Sequence, residues 1–255
     1  MPSDAAPPPG PARGPARGPT EEPAPKPAPD VGAPTDRDGW LARELRGFGL
    51  VWLVSFVLIL SANSLFIGFS GVLVALWAKL SRTPWREIGY VRPASWPRTV
   101  LGGLVFGAAF KLAMKAIVMP LLGADPVNHA YHYLSGNRAA IPGFLFAILF
   151  GAGFSEETVF RGYLFERFGR LLGRGVASKA VTVLVTSVWF GAEHYAVQGL
   201  AGAEQATVTG LVFGTIVAVT GRLPLVMVAH AAFDLTAYAI TYRDLETTVA
   251  HWVFR

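Results

Sequence analysis

The chain has 255 residues, 52% hydrophobic and only 15% charged, with 28 glycines, 19 prolines, no cysteine and a net charge of +5. Soluble domains carry roughly 25% charged residues, so a soluble enzyme is disfavoured; the missing cysteine excludes a disulfide scaffold, a thiolate metal site and a cysteine nucleophile. The isoelectric point near 9.7 does not read as nucleic-acid binding, because the basic residues sit in short stretches between long apolar runs, which makes the lipid bilayer the expected partner.

Twelve of the prolines fall in the first 34 residues. Residues 1–38 are predicted to form a disordered Pro/Ala/Gly-rich tail, too poor in large apolar side chains to offset chain entropy. No apolar core follows a basic start, so a signal peptide is not expected. The tail reads as a solvated spacer; a partner domain that binds it is the other reading.

The body, 40–242, is predicted to be all-α: a polytopic transmembrane helical bundle of about 6–8 spans, with a motif-bearing core at about 80–241 and a short C-terminal tail at 243–255. From Gly47 to Ala78 run 32 residues without a charge. One helix of that length would rise roughly 48 Å, too long for a ~30 Å hydrocarbon core. The polar stretch Ser61-Ala62-Asn63-Ser64 offers a turn, so a helical hairpin is predicted over 44–61 and 65–80. Five further spans follow: Thr99–Pro120, Pro142–Glu166, Lys179–Val197, Gly202–Thr220 and Leu223–Thr241.

The 79–98 connection carries Lys79, Arg82, Arg86, Arg92 and Arg98 against Glu87, and the 166–179 connection carries Arg167, Arg170, Arg174 and Lys179 against Glu166. The positive-inside rule makes both cytoplasmic. The expected location is a bacterial inner membrane, with the site open toward the cytoplasm.

A charge near the bilayer centre costs at least ~2.5–3.5 kcal/mol on insertion scales, so each one calls for a reason. The fourth span contains Glu156-Glu157-Thr158-Val159-Phe160-Arg161. Arg161 lies four residues after Glu157 and can pair with it, which leaves Glu156 in another sector. The fifth span ends Phe190-Gly191-Ala192-Glu193-His194, and the seventh holds His230 and Asp234 one turn apart. Counted from the cytoplasmic ends at 1.5 Å per residue, Glu156 lies roughly 15 Å deep, His194 roughly 22 Å, His230 roughly 10 Å and Asp234 roughly 16 Å. Ionisable groups at overlapping depths on three helices point to one polar cavity. Each alone has a structural reading: an interfacial helix end for the carboxylates, a hydrogen-bonded histidine for His194, a carboxylate that orients an imidazole for Asp234.

Glu plus two His can ligate a divalent ion or activate water directly. Ser155 lacks the glycine pattern of a nucleophile elbow. Hydrolysis of a peptide bond fits the set better than proton relay, since Arg161 opposes cation passage. Lys111 and Lys115 share a face of the third span and read chiefly as snorkelling or cavity-solvated, with pairing to an acid across the cavity or contact with substrate the other reading. His129 and His132 read as loop residues, with peripheral metal binding the other reading. Glu193 receives no role.

Glu156-Glu157-x-x-x-Arg161, Phe190-x-x-x-His194 and His230-x-x-x-Asp234, in this order on successive apolar segments, resemble the CPBP family: the CAAX prenyl endopeptidases of the Ras-converting type and the bacteriocin-processing proteins, intramembrane and commonly described as metalloproteases. The stretch Ile88-Gly89-Tyr90-Val91-Arg92-Pro93 is similar to the start of that family's core. The resemblance implies that Glu156 and His194 activate water, that Glu157 and Arg161 support the site, and that His230 and Asp234 stabilise the oxyanion or bind metal. An ionised Asp234 cannot donate to an oxyanion, so orienting His230 or touching a metal suits it better. The implied ligand set for a divalent ion, zinc by expectation, is Glu156, His194, His230 and Asp234, although the zinc-helix signature His-Glu-x-x-His is absent and metal-independent catalysis stays open. The implied substrate is a membrane-associated protein or peptide, of CAAX type or leader type. The alternative is a non-catalytic scaffold or bacteriocin self-immunity protein of the same architecture.

Overall fold

The computed structural model describes residues 39–65 and 68–254; the predicted tail, 1–38, lies outside the described residues. Every regular element among the described residues is helical, as the uniform apolar runs without period-two alternation dictate. Helices α1 (Trp40–Arg46), α2 (Leu50–Leu65) and α3 (Phe69–Leu80) come first. The long helices follow: α4 (Trp96–Leu121), α5 (Arg138–Leu172), α6 (Val176–Thr220) and α7 (Pro224–Tyr242), then the short α8 (Glu246–Ala250).

The predicted hairpin differs in detail. Helix α1 meets α2 at a 63° bend, where Gly47 and Gly49 interrupt the run. The expected turn at 61–64 is instead helical, and α3 starts after Gly68, whose φ of 83° suits glycine. Helices α4 to α7 are long and apolar enough to cross a membrane, and α1 with α2 makes a fifth if the bent pair is one span. The 45-residue α6 is two helices broken at Gly199, φ 64°. Across the break, Gly191 faces Thr207, Gly210 faces Ser187 and Gly214 faces Val183. Those pairings run antiparallel, so α6 is a hairpin whose arms match the predicted 179–197 and 202–220.

The burial pattern is inverted relative to a soluble protein. Leu50, Leu53, Val57 and Leu58 of α2, Leu101 and Val105 of α4, and Leu184 and Val188 of α6 are exposed, whereas Lys111, Glu157, Arg161 and His230 are buried. A hydrocarbon solvent accounts for both halves of that pattern.

Close backbone approaches fix the bundle. A Cβ on Gly107 would lie 2.1 Å from the carbonyl oxygen of Ala229, and one on Gly103 would lie 2.7 Å from Val228. Two glycines four apart thus let α4 seat against α7. At the basic end, Arg167 donates to the carbonyl of Arg46 at 3.0 Å and to Glu166, while Arg170 bonds Glu87 at 3.2 Å. The amide of Leu223 donates to Gly89 at 2.9 Å, so both basic connections and the α6–α7 turn gather at one end.

Candidate active site

Helix α5 carries the paired carboxylates and is wound there as a π-helix, over Ala147–Glu156 and again over Thr158–Tyr163. Such i→i+5 winding is rare and concentrates at functional sites. The α-helical period assumed from sequence therefore does not hold at the carboxylates. Beneath them, the Tyr90 hydroxyl lies 2.6 Å from the Thr158 hydroxyl, and Ile88 is fully buried. The Ile88–Pro93 stretch is thus a footing for α5.

Glu157 is fully buried. Its Oε1 accepts from Arg161 Nη1 at 2.9 Å and from His230 Nδ1 at 2.7 Å. The guanidinium of Arg161 also stacks over Phe190, 4.4 Å from the ring centroid. Asp234 was the expected orienter of His230, but its Oδ2 stands 3.8 Å from Nε2, beyond hydrogen-bond reach, and Glu157 makes the bond instead. Glu156 Oε2 lies 3.9 Å from the same Nε2. Two carboxylates therefore face that nitrogen, an arrangement suited to an N–H rather than a lone pair.

His194 Nδ1 donates to the Phe190 carbonyl at 2.8 Å. In a neutral ring that bond places the proton on Nδ1 and leaves the lone pair on Nε2. Glu156, His194, His230 and Asp234 all line one cavity of about 260 Å³. The three helices named from sequence thus deliver their polar groups to a single place.

Sequence reading missed several participants. Asn63, read as part of a turn, donates to Glu193 at 2.8 Å and accepts from Ser70 at 2.9 Å. Ser70 in turn lies 3.0 Å from Ser155, so Ser155 is tied into a network between α2, α3 and α5. Lys111 does not snorkel: it is buried and donates to Gln205 at 2.8 Å. Lys115 turns to the carbonyl of Pro126 and to Glu246, 3.8 Å away. His132 bonds Glu246 at 3.3 Å, and the largely exposed His129 bonds Asp125 at 3.2 Å. A single polar residue in an apolar run gives no sign of which neighbour it will meet, and only the three-dimensional packing supplies one.

A second cavity, about 380 Å³, shares Lys111, Asn128, Tyr131, Gln198 and Gln205 with the first and runs to the 122–137 loop. Tyr131, in that loop, has its phenol pushed up to about 12, chiefly by burial, and so keeps its O–H. The basic connections lie at the opposite ends of these helices. The outer cavity thus reaches the end of the bundle remote from the basic connections.

Four residues were expected to hold a divalent ion. Among the described residues, no three His, Asp or Glu side chains are grouped closely enough to share one.

Carboxylates and imidazoles thus gather around one cavity inside a bundle with an apolar exterior. Residues 138–236 match the family described as type II CAAX prenyl endopeptidase Rce1-like. That stretch contains Glu156, Glu157, Arg161, His194, His230 and Asp234, so the likeness to that family covers every residue of the polar cluster. No curated protein and no solved structure matches the chain.

Proposed function

We propose that the chain hydrolyses a peptide bond of a membrane-associated protein or peptide, with water activated by Glu156 and His194. The convergence of Glu156, His194, His230 and Asp234 on one cavity carries this reading. The family description favours a CAAX-type substrate over a leader-type one.

Glu156 accepts a proton from the water as its oxygen adds to the scissile carbonyl carbon. The lone pair on His194 Nε2 accepts the water's second hydrogen bond and so fixes its direction. The carbonyl electrons move to oxygen, and His230 Nε2–H donates to the resulting oxyanion. Glu157 holds that imidazole from the other side by accepting from Nδ1. Collapse breaks the C–N bond, and the proton on Glu156 passes to the leaving amine. A carboxylate at Asp234 has no proton to donate; its charge favours the His230 N–H instead. A divalent ion at Glu156, His194, His230 or Asp234 would supply Lewis-acid polarisation, but no step above passes through one.

The protein is a multi-pass membrane protein, placed by this reading in a bacterial cell membrane. The positive-inside rule keeps the basic end in the cytoplasm, and the cavity mouth then faces the other side.

The test is hydrolysis by purified Glu156→Ala and His194→Ala proteins. Both are expected to lose proteolysis while keeping yield and melting temperature. Parental rates in either would overturn the assignment. Membranes carrying Glu156→Ala should accumulate one uncut precursor, which proteomics would identify.

A further inference from the structure

Asn63 and Glu193 are polar residues of apolar helices that the hydrolytic steps leave without a task. A carboxylate carried this far along a membrane helix needs a reason to be there, and Glu193 sits directly before His194. Its Oε2 accepts from Asn63 Nδ2 at 2.8 Å, and the Trp189 indole donates to the same carboxylate. Asn63 Oδ1 accepts in turn from the Ser70 hydroxyl at 2.9 Å. With its proton committed there, Ser70 Oγ accepts from Ser155 Oγ, 3.0 Å away, and Ser155 Oγ accepts from the Gly71 amide at 2.5 Å. The donors therefore run in one direction, from Gly71 through Ser155, Ser70 and Asn63, and end on a group that accepts only when ionised.

The two ends of this series fall beside the chemistry. Ser155 directly precedes Glu156 and Glu193 directly precedes His194, so the hydrogen bonds link the neighbours of the two groups that hold the attacking water. Those two groups stand on different helices, α5 and α6, and the link passes through α3 and α2. Asn63 lines the catalytic cavity together with Ser155, Glu156 and His194. Ser70 and Ser155 are buried, which shields their bonds from competing water. At the α5 end the seat is tight: a Cβ on Gly71 would lie 2.8 Å from Ser155 Oγ and 2.9 Å from its Cα. Helix α3 thus presses on the last turn of the π-wound segment Ala147–Glu156.

We propose that Asn63, with Ser70 and Glu193, is a positioning brace that sets the separation of Glu156 and His194 across the cavity. This rests on the endopeptidase reading and adds positioning residues to it. A water shared by a carboxylate and an imidazole must meet both at hydrogen-bond distance. Misplacing such a pair by about 1 Å costs as much as ~10²-fold in rate.

The experiment follows hydrolysis of an S-farnesyl-cysteine peptide ending in three aliphatic residues by the full chain in detergent. Asn63→Leu keeps the volume and removes both hydrogen bonds. It is expected to lower kcat about 10- to 100-fold with KM little changed, at a temperature where the variant stays folded. Ser70→Ala, a smaller change, breaks the series at its middle and is expected to act in the same direction. The pair Asn63→Asp with Glu193→Gln inverts the bond, because the new amide donates and the new carboxylate accepts from it and from Ser70. That inverted pair is expected to regain most of the parental kcat.

Spacing is read apart from activity, by dipolar EPR between spin labels on Leu149→Cys of α5 and Val188→Cys of α6. Both positions are exposed, and the chain has no native cysteine. Asn63→Leu is expected to shift and broaden the distance distribution, and the inverted pair to restore it. A parental kcat or an unshifted distance in Asn63→Leu and Ser70→Ala overturns the proposal, as does an inverted pair no better than Asn63→Leu. Failure of the parental chain to cut the peptide would count against the endopeptidase reading, while the label distances still decide whether the brace sets the spacing.

Discussion

Glu157 and His230 are joined by a 2.7 Å hydrogen bond between helices α5 and α7, and the same carboxylate oxygen receives Arg161 at 2.9 Å. One buried atom thus sets the rotation of the imidazole and neutralises the guanidinium beside it.

Removing that atom has two separable effects. Glu157→Ala leaves Arg161 buried without its anion, a change that costs ~3–5 kcal/mol in other buried pairs, and a marked fall in melting temperature is expected. Glu157→Gln keeps the shape and most of the packing. It is expected to lower kcat by roughly 10²-fold, as losing an aligned oxyanion donor does, with KM little changed and an altered pH–rate profile. An unchanged pH profile would reduce Glu157 to a purely structural part.

The seat between α4 and α7 is open to a paired test. A methyl group at Gly107 would collide with the Ala229 carbonyl at 2.1 Å, whereas one at Gly102 meets only Leu225, at 3.8 Å. Gly107→Ala should destabilise the protein by roughly 1–3 kcal/mol or more, as overpacking does, and depress activity because Ala229 adjoins His230. Gly102→Ala should leave the melting temperature in place. Thermal denaturation of the two purified variants decides this.

The absence of native cysteine makes topology directly measurable. With single cysteines placed at Arg86 and at His129, an impermeant maleimide should label the His129→Cys protein from outside intact cells. The Arg86→Cys protein should react only after the membrane is opened. The reverse pattern would put the basic end outside and the cavity mouth in the cytoplasm.

Metal dependence can be addressed on the same preparations. If Glu156 is the base without an ion, dialysis against a strong chelator leaves hydrolysis of the farnesylated peptide unchanged, and added zinc gives no stimulation. A loss that zinc restores would move Glu156, His194 and His230 into a ligand role.

The helical class, the approximate segments and the membership of the polar cluster were legible because each rests on a local signal: apolar runs too long for a soluble core, punctuating glycines, and charges set in hydrocarbon. Partners were less so. The i,i+4 spacing made Asp234 the natural neighbour of His230, yet Glu157 holds it from another helix, since side-chain direction in a bundle depends on how helices rotate against each other. Asn63 looked like a turn former, and helix continuation instead carried it to Glu193. The 63° bend between α1 and α2 has Gly47 and Gly49 as its local sign, a fainter one than the polar stretch downstream.

The winding of α5 also bears on how this chain tolerates length changes. A π-turn amounts to one residue inserted into an α-helix without lengthening its neighbours. Deleting a single residue between Ala147 and Phe154 would therefore be absorbed by relaxation to ordinary winding, whereas the same deletion in an ordinary α-helical stretch would turn the two ends relative to each other by about 100°. Glu156 would stay in the cavity with Phe144 and Ile148 in its wall, so the wound segment is where α5 can lose a residue and keep its carboxylates in place.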